Sequence, residues 1–240
     1  MSWPGTYRAD RGGQTFRGIA PSPEIRRCGP ILRAVTEPRR RSPEVTYHPS
    51  PVTRADRERL LGQRGVVVWL TGLSGSGKST LAGLAARHLH ERGRLAYVLD
   101  GDNLRHGLCG DLGFSPADRA ENVRRLAEVA ALLADVGAVT FVAAVSPYRR
   151  DRALARDRIG TERFVEVHVA TPLDVCRARD PKGLYRRAEA GEIAGMTGID
   201  APYEPPEHPD LRLASDDDPP DALAVRIVAH LETRGFLSAP

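Results

Sequence analysis

From Val66 onward, apolar runs of strand length alternate with stretches of helical period. The runs are VVVWLTG, LAYVLDGD, AVTFVAAVS and FVEVHVATP, and the segments between them, near 79–92 and 116–136, repeat their apolar positions every three to four residues. Strands that are apolar almost throughout, rather than at alternate positions, are covered on both faces, the condition of a parallel sheet between helices. The pattern predicts an α/β fold, a doubly wound parallel sheet flanked by helices. A short strand near Leu211–Leu213 and a last helix near Pro220–Thr233 complete it. The helix near 116–136 is the best specified: Ser115 stands at the N-cap, Pro116 at the first helical position and Asp118 in the first turn. At about 100° per residue, Val123, Leu126, Ala127, Ala130, Leu133 and Ala134 share one face, and Arg119 and Asn122 continue it at the N-terminal end.

Residues 1–51 break the pattern. Runs such as PSPEIRRCGP and EPRRRSPE are rich in Pro, Gly, Ser and Arg and carry no sustained apolar period, so they read as a basic, disordered extension ahead of one domain at 52–240. Net charge is +4, and the basic excess lies in the first sixty residues, which hold twelve arginines. The folded part has no basic helix stripe and few aromatics for stacking bases, so nucleic acid is not an expected partner. No apolar run approaches the about eighteen residues of a membrane span, and no secretory core opens the chain. Cys28, Cys109 and Cys176 are odd in number and widely spaced, which argues against a disulfide framework or a zinc site and points to the cytoplasm. Of the 35 basic side chains only Lys78 and Lys182 are lysine. A compact ammonium kept against an arginine background marks a site that needs a point charge.

Lys78 lies in GLSGSGKST, Gly72 to Thr80, which fits G-x-x-x-x-G-K-[ST] between a strand and a helix-forming run. In such a loop Gly72, Ser74, Gly75, Ser76 and Gly77 turn backbone N–H groups around the phosphates of ATP, and the next helix points its positive end at them. Lys78 reaches the β and γ phosphates, Ser79 gives its hydroxyl to Mg²⁺, and Thr80 supports the loop from the first helical turn. A switch GTPase would need N-K-x-D, and neither lysine follows Asn.

The second strand ends in LDGDNLRHG, which sets Asp100, Asp102, Asn103 and Arg105 past its carboxyl end, where open α/β sheets bind ligands. Carboxylates beside a phosphate loop hold Mg²⁺ or take a proton from an attacking hydroxyl; a solvated Asp/Asn/Gly turn is the plain alternative. Arg105, Arg119 and Asn122 together read as a clamp for an anionic substrate. Ser146, after the third strand, is read as a substrate ligand, with helix capping and covalent phosphate acceptance as alternatives. The segment ARDPKGLYRRAEAGEIAGMTGIDAPYEPP mixes charge, Gly and Pro without a core period and suits a mobile lid that brings Lys182 over transferring phosphates.

GLSGSGKST, DGDNLRHGL, GFSPADRAENVRR, the SPY turn, DPKGLY and GMTGID, taken in order, resemble the adenylylsulfate kinase family, P-loop kinases that phosphorylate the 3′-hydroxyl of adenylyl sulfate. The resemblance runs from about Val52 to the C-terminus. It implies that Asp102, Asn103, Arg105, Phe114, Arg119, Asn122, Val145 and Ser146 contact the acceptor, joined by Lys182 and Gly195 of the lid, with Asp100 assisting Mg²⁺ or the hydroxyl. The family carries Phe in G-F-T-G-I-D where this chain has Met196, so weaker stacking of the acceptor adenine against Phe114 is expected. Ser146 matches a position at which some members carry phosphoserine. The resemblance also brings into view a homodimer and a sulfate adenylyltransferase partner. The readings that compete with it are a P-loop kinase for another small hydroxyl acceptor and an ATP-binding module without catalysis.

Overall fold

The computed structural model describes residue 46, residues 48–214 and residues 218–238. Apart from 46 and 48–51, the segment read above as a disordered extension lies outside the described residues. The compact unit begins at Pro49.

Five strands, β1 (Val66–Thr71), β2 (Ala96–Asp100), β3 (Val139–Ala143), β4 (Phe164–Val169) and β5 (Leu211–Leu213), form one sheet in the order β2-β3-β1-β4-β5. Every pairing is parallel, as in the registers Val68↔Phe141 and Leu70↔Val167. The helices are α1 (Arg54–Leu61), α2 (Lys78–Glu91), α3 (Gly101–Leu104), α4 (Pro116–Val136), α5 (Arg149–Ile159), α6 (Leu173–Arg179), α7 (Leu184–Glu189) and α8 (Pro220–Thr233), with a 3-10 turn at Thr161–Arg163. Successive β1 side chains point to opposite faces. Val66, Val68 and Leu70 enter a core with Leu81, Ala85 and Leu89 of α2 and Leu223, Ile227 and Leu231 of α8. Val67 and Trp69 enter a second core with Val123, Leu126 and Ala130 of α4 and Ala155 and Ile159 of α5. This two-sided burial is why the strands read as continuous apolar runs.

Helix α1 was not anticipated, because RADRERLL offers only three apolar residues, Ala55, Leu60 and Leu61. Its start is written in a capping box: the Thr53 side chain accepts from Asp56 N while Asp56 reaches back to Thr53 N. Glu58 then anchors it, pairing with Arg163 at 2.5 Å and accepting from Gly65 N at 3.0 Å, with both side chains buried. Gly65 is required by close approach, since a Cβ there would lie 1.9 Å from the Ala134 carbonyl oxygen. The parallel strands carry the loops after Thr71, Asp100, Ala143 and Val169 to one edge of the sheet, the edge at which such sheets bind ligands.

Candidate active site

The loop between β1 and α2 has the backbone of a phosphate cradle. Gly75 and Gly77 sit at φ +75° and +102°, conformations open to glycine, and Gly77 is the N-cap of α2. Gly72 has no room for a side chain: a Cβ would stand 2.4 Å from the Val169 carbonyl oxygen. Thr171 Oγ1 donates to Ser76 O at 3.0 Å and steadies the loop from the β4 side. Lys78 is buried, its ammonium donating to Gly72 O at 2.9 Å and Leu73 O at 2.6 Å. Burial pushes its pKa down to about 8. Ser79 and Thr80 remain exposed on the first turn of α2.

Opposite the loop, Asp100 caps the short α3: its Oδ1 accepts from Asp102 N at 2.9 Å and Asn103 N at 3.4 Å. Oδ2 has no hydrogen-bond partner among the described residues. Arg105 and Arg119 both turn to backbone. Arg105 donates to Leu112 O and Gly113 O, each at 3.0 Å, and its guanidinium lies 4.2 Å from the centre of the Phe114 ring. Arg119 donates to Phe114 O at 2.9 Å and, across to the lid, to Gly195 O at 2.6 Å. Rather than standing as two free guanidinium forks, these arginines shape the Phe114 loop and pin the lid. Phe114 is 61% exposed, an aromatic face presented to the opening. Asn122 is buried on α4 against the Cys109 thiol, a weak acceptor, and its Nδ2 has no oxygen or nitrogen partner among the described residues. A buried donor left unmade carries a desolvation cost, and a ligand acceptor would remove it.

Ser146 closes this side in a strained backbone, at φ +38°. Its hydroxyl is buried and accepts from Trp69 Nε1 at 3.0 Å. It is not a helix cap, a place taken by Tyr148, and its oxygen is not presented as an exposed nucleophile. The lid is more ordered than its polar composition suggests. Cys176, Tyr185 and Met196 form a small core with Leu73 of the phosphate loop and Leu173, Leu184, Ala188 and Ile193. Tyr185 donates its hydroxyl to Ser74 O at 2.9 Å, and Lys182 pairs with Asp102 across the opening. Met196 is thus packed into the lid's own core while bordering the cavity.

Together these elements enclose a cavity of about 880 Å³, within the range of ligand sites. Of the residues singled out above, Ser74, Gly75, Gly77, Lys78, Ser79, Thr80, Asp102, Arg105, Phe114, Arg119, Asn122, Val145, Ser146, Lys182, Gly195 and Met196 line it. Gly72 and Ser76 are buried behind the loop, Asp100 supports α3, and Asn103 is exposed on α3 without lining the cavity. The glycine-rich loop and the wall formed by Asp102, Phe114, Asn122 and Val145 therefore share one enclosure.

The family model for adenylylsulphate kinase matches residues 64–214, the span from the start of β1 to the end of β5. The chain belongs to the adenylylsulfate kinase family. An adenylyl-sulfate kinase of Enterobacter sp. is 59% identical over 169 residues, 70% of this chain and 84% of that one. Among solved structures, the APS kinase of Mycobacterium tuberculosis in complex with AMPPNP and APS is 57% identical, with a TM-score of 0.68 over 71% of this chain and 99% of that chain. The hexameric APS kinase of Thiobacillus denitrificans is 36% identical, with a TM-score of 0.56 over 75% of this chain and 31% of that one. The sequence reading passed over Arg187, which lines the cavity, and Thr71, Arg152, Tyr185 and Tyr203, which brace its walls from outside. Tyr185 had a signal, an aromatic in the otherwise polar DPKGLYRR; Arg152 is masked in the arginine-rich run YRRDRALARDR.

Proposed function

We propose that this kinase transfers the γ-phosphoryl group of MgATP to the 3′-hydroxyl of adenylyl sulfate, giving ADP and 3′-phosphoadenylyl sulfate. The observation that carries the reading is the shared enclosure: a phosphate loop faces Asp102, Phe114, Asn122 and Val145 across one cavity in a chain of this family. The loop amides and Lys78 bind the donor phosphates. Lys78 leaves the carbonyls of Gly72 and Leu73 for a phosphate, which restores its full charge. Phe114, fixed by Arg105, offers the acceptor adenine a stacking face, and Asn122 Nδ2 offers a hydrogen-bond donor with only the Cys109 thiol beside it. Asp100 keeps one carboxylate oxygen uncommitted, suited to the hydroxyl proton or to a metal-bound water.

Mg²⁺ fits this donor set. Hard oxygen donors are present in the Ser79 hydroxyl and Asp100 Oδ2, and among the described residues no group of three or more His, Cys, Asp or Glu forms a protein-only cage. That suits an ion that takes few protein ligands and the rest from phosphates and water. Bound there, it would neutralise charge on the β and γ oxygens. Lys182, freed from Asp102, adds a second cation over the transferring group while the lid excludes water.

We place the reaction in the cytoplasm, where ATP is supplied and buried free Cys109 and Cys176 stay reduced. No described helix is long and apolar enough to cross a membrane. Self-association, as a homodimer, and docking to a sulfate adenylyltransferase complete the proposed partners. The test is ADP release from MgATP with adenylyl sulfate, AMP, gluconate or no acceptor. Turnover that requires adenylyl sulfate and is lost in Lys78→Ala supports the reading; turnover with another acceptor instead transfers the cavity to that substrate, and binding without turnover makes it a non-catalytic module.

A further inference from the structure

Behind the acceptor wall lies a buried cation that the mechanism above does not use. The Arg152 side chain is 3% exposed and spends all three nitrogens. Nη1 donates to Ser146 O at 2.7 Å, Nη2 to Glu204 O at 2.7 Å, and Nε to Glu166 Oε1 at 2.9 Å. Glu166 is also met by Arg156 at 3.3 Å. The first two bonds join separate parts of the site. Ser146 borders the acceptor side in a positive-φ conformation that residues with a Cβ hold only when their surroundings impose it. Glu204 belongs to the strap by which the lid returns to the sheet. That strap is fastened to the turn after Ser146: Glu204 N donates to Pro147 O at 2.9 Å, and Arg149 reaches Glu204, Pro205 and Glu207. Tyr203, one residue earlier, hydrogen-bonds Thr71 Oγ1 at 3.1 Å, and Thr71 donates to Val145 O at 2.8 Å.

We infer that Arg152 is a positioning residue for the acceptor half of the site: one guanidinium fork holds the Val145–Ser146 wall and the lid's return strap in a single arrangement. Only a planar fork with diverging donors spans two carbonyls and a carboxylate at once; an ammonium on a lysine stem does not reproduce that geometry. The donor half is built from other contacts, so loss of Arg152 falls on the acceptor. The inference rests on the reading that the acceptor lies against Val145 and Ser146.

Trp69 reports on the same spot, because its indole N–H is bonded to Ser146 Oγ. The experiment compares wild type, Arg152→Met, Arg152→Lys and Glu166→Gln, each also in a Trp3→Phe background that leaves Trp69 as the emitting indole. Steady-state kinetics with adenylyl sulfate and MgATP is read beside Trp69 emission of the free protein and the melting temperature. The expected result is that Arg152→Met raises KM for adenylyl sulfate about tenfold or more, moves KM for ATP less than about threefold, and changes the Trp69 emission maximum. Glu166→Gln breaks the same ion pair but leaves both carbonyl bonds, so it lowers the melting temperature without those effects. If Arg152→Met does not fold, Arg152→Lys decides, since it keeps a charge for Glu166 and loses the bridge. Equal rises in the two KM values, an unchanged emission maximum, or a Glu166→Gln variant that matches Arg152→Met would overturn the inference. Should wild type not phosphorylate adenylyl sulfate, the functional reading falls, and the emission of the free proteins still decides whether Arg152 sets Ser146.

Discussion

Raising the pH should strip the charge from Lys78 before any phosphate arrives. Its pKa of about 8 against the ordinary 10.5 has burial as first cause, with the Lys182 charge adding to it, and the Cys176, Asp102 and Asp100 groups offset only part of it. That gap is worth about 3 kcal/mol against the charged form. Donor phosphates reverse the balance, so binding draws a proton in. At pH 8 about half of the free enzyme has a neutral lysine, and binding a non-hydrolysable ATP analogue takes up about half a proton; at pH 7 the uptake is about a tenth, and at pH 9 about nine tenths. Titration calorimetry in two buffers of different ionisation enthalpy measures that number, and kcat/KM for MgATP should fall above pH 8 with the same midpoint. Stability runs the other way. The unfolded chain holds its proton up to about 10.5, so between pH 8 and 10.5 it binds more protons than the folded chain, and this group's contribution to stability rises with pH. No proton uptake at pH 8 to 9 and a flat kcat/KM up to pH 9.5 would show that the lysine stays charged, and would refute the reasoning from burial.

Tyr185→Phe removes the donor to Ser74 O, a net loss of about 1 kcal/mol, so KM for ATP should rise about fivefold with KM for the acceptor little changed; the reverse pattern contradicts a lid contact to the phosphate loop. Phe114→Ala deletes an exposed ring, so the melting temperature should hold while KM for adenylyl sulfate rises at least about fivefold, the low end of stacking energies; an unchanged KM removes the ring from the acceptor site. Gly65→Ala drives a Cβ toward the Ala134 carbonyl and should cost about 2 kcal/mol or more, read as a melting temperature lower by about 5 °C or more; a loss under about 2 °C would mean that α4 yields freely at this point.

Strands β1, β3 and β4 were legible because burial on both faces leaves them almost wholly apolar, and α4 because Ser115, Pro116 and Asp118 specify its start. Helix α1 was not, since its stability comes from the Thr53 cap and the distant Glu58–Arg163 pair rather than from an apolar stripe. The lid misled in a similar way. Its Tyr185 and Met196 meet Cys176 of α6 only in three dimensions, so spacing carries no sign of the small core they form. Residue type located Arg105 and Arg119 at the ligand edge but not the partners of their guanidinium groups, which are backbone carbonyls of their own loop and of the lid. Lys78 and Lys182, the two lysines of an arginine-rich chain, both reach the cavity, as the contrast in composition suggested.

The central claim concerns one bond, from the transferred phosphorus to the 3′-oxygen of adenylyl sulfate. Phosphorus NMR of the reaction mixture, with wild type and Lys78→Ala side by side, observes that bond directly. The account predicts a new phosphomonoester resonance coupled to the ribose 3′-proton, growing in step with ADP and missing in Lys78→Ala. ADP that accumulates without this resonance, or a phosphate carried on another position or acceptor, would contradict it.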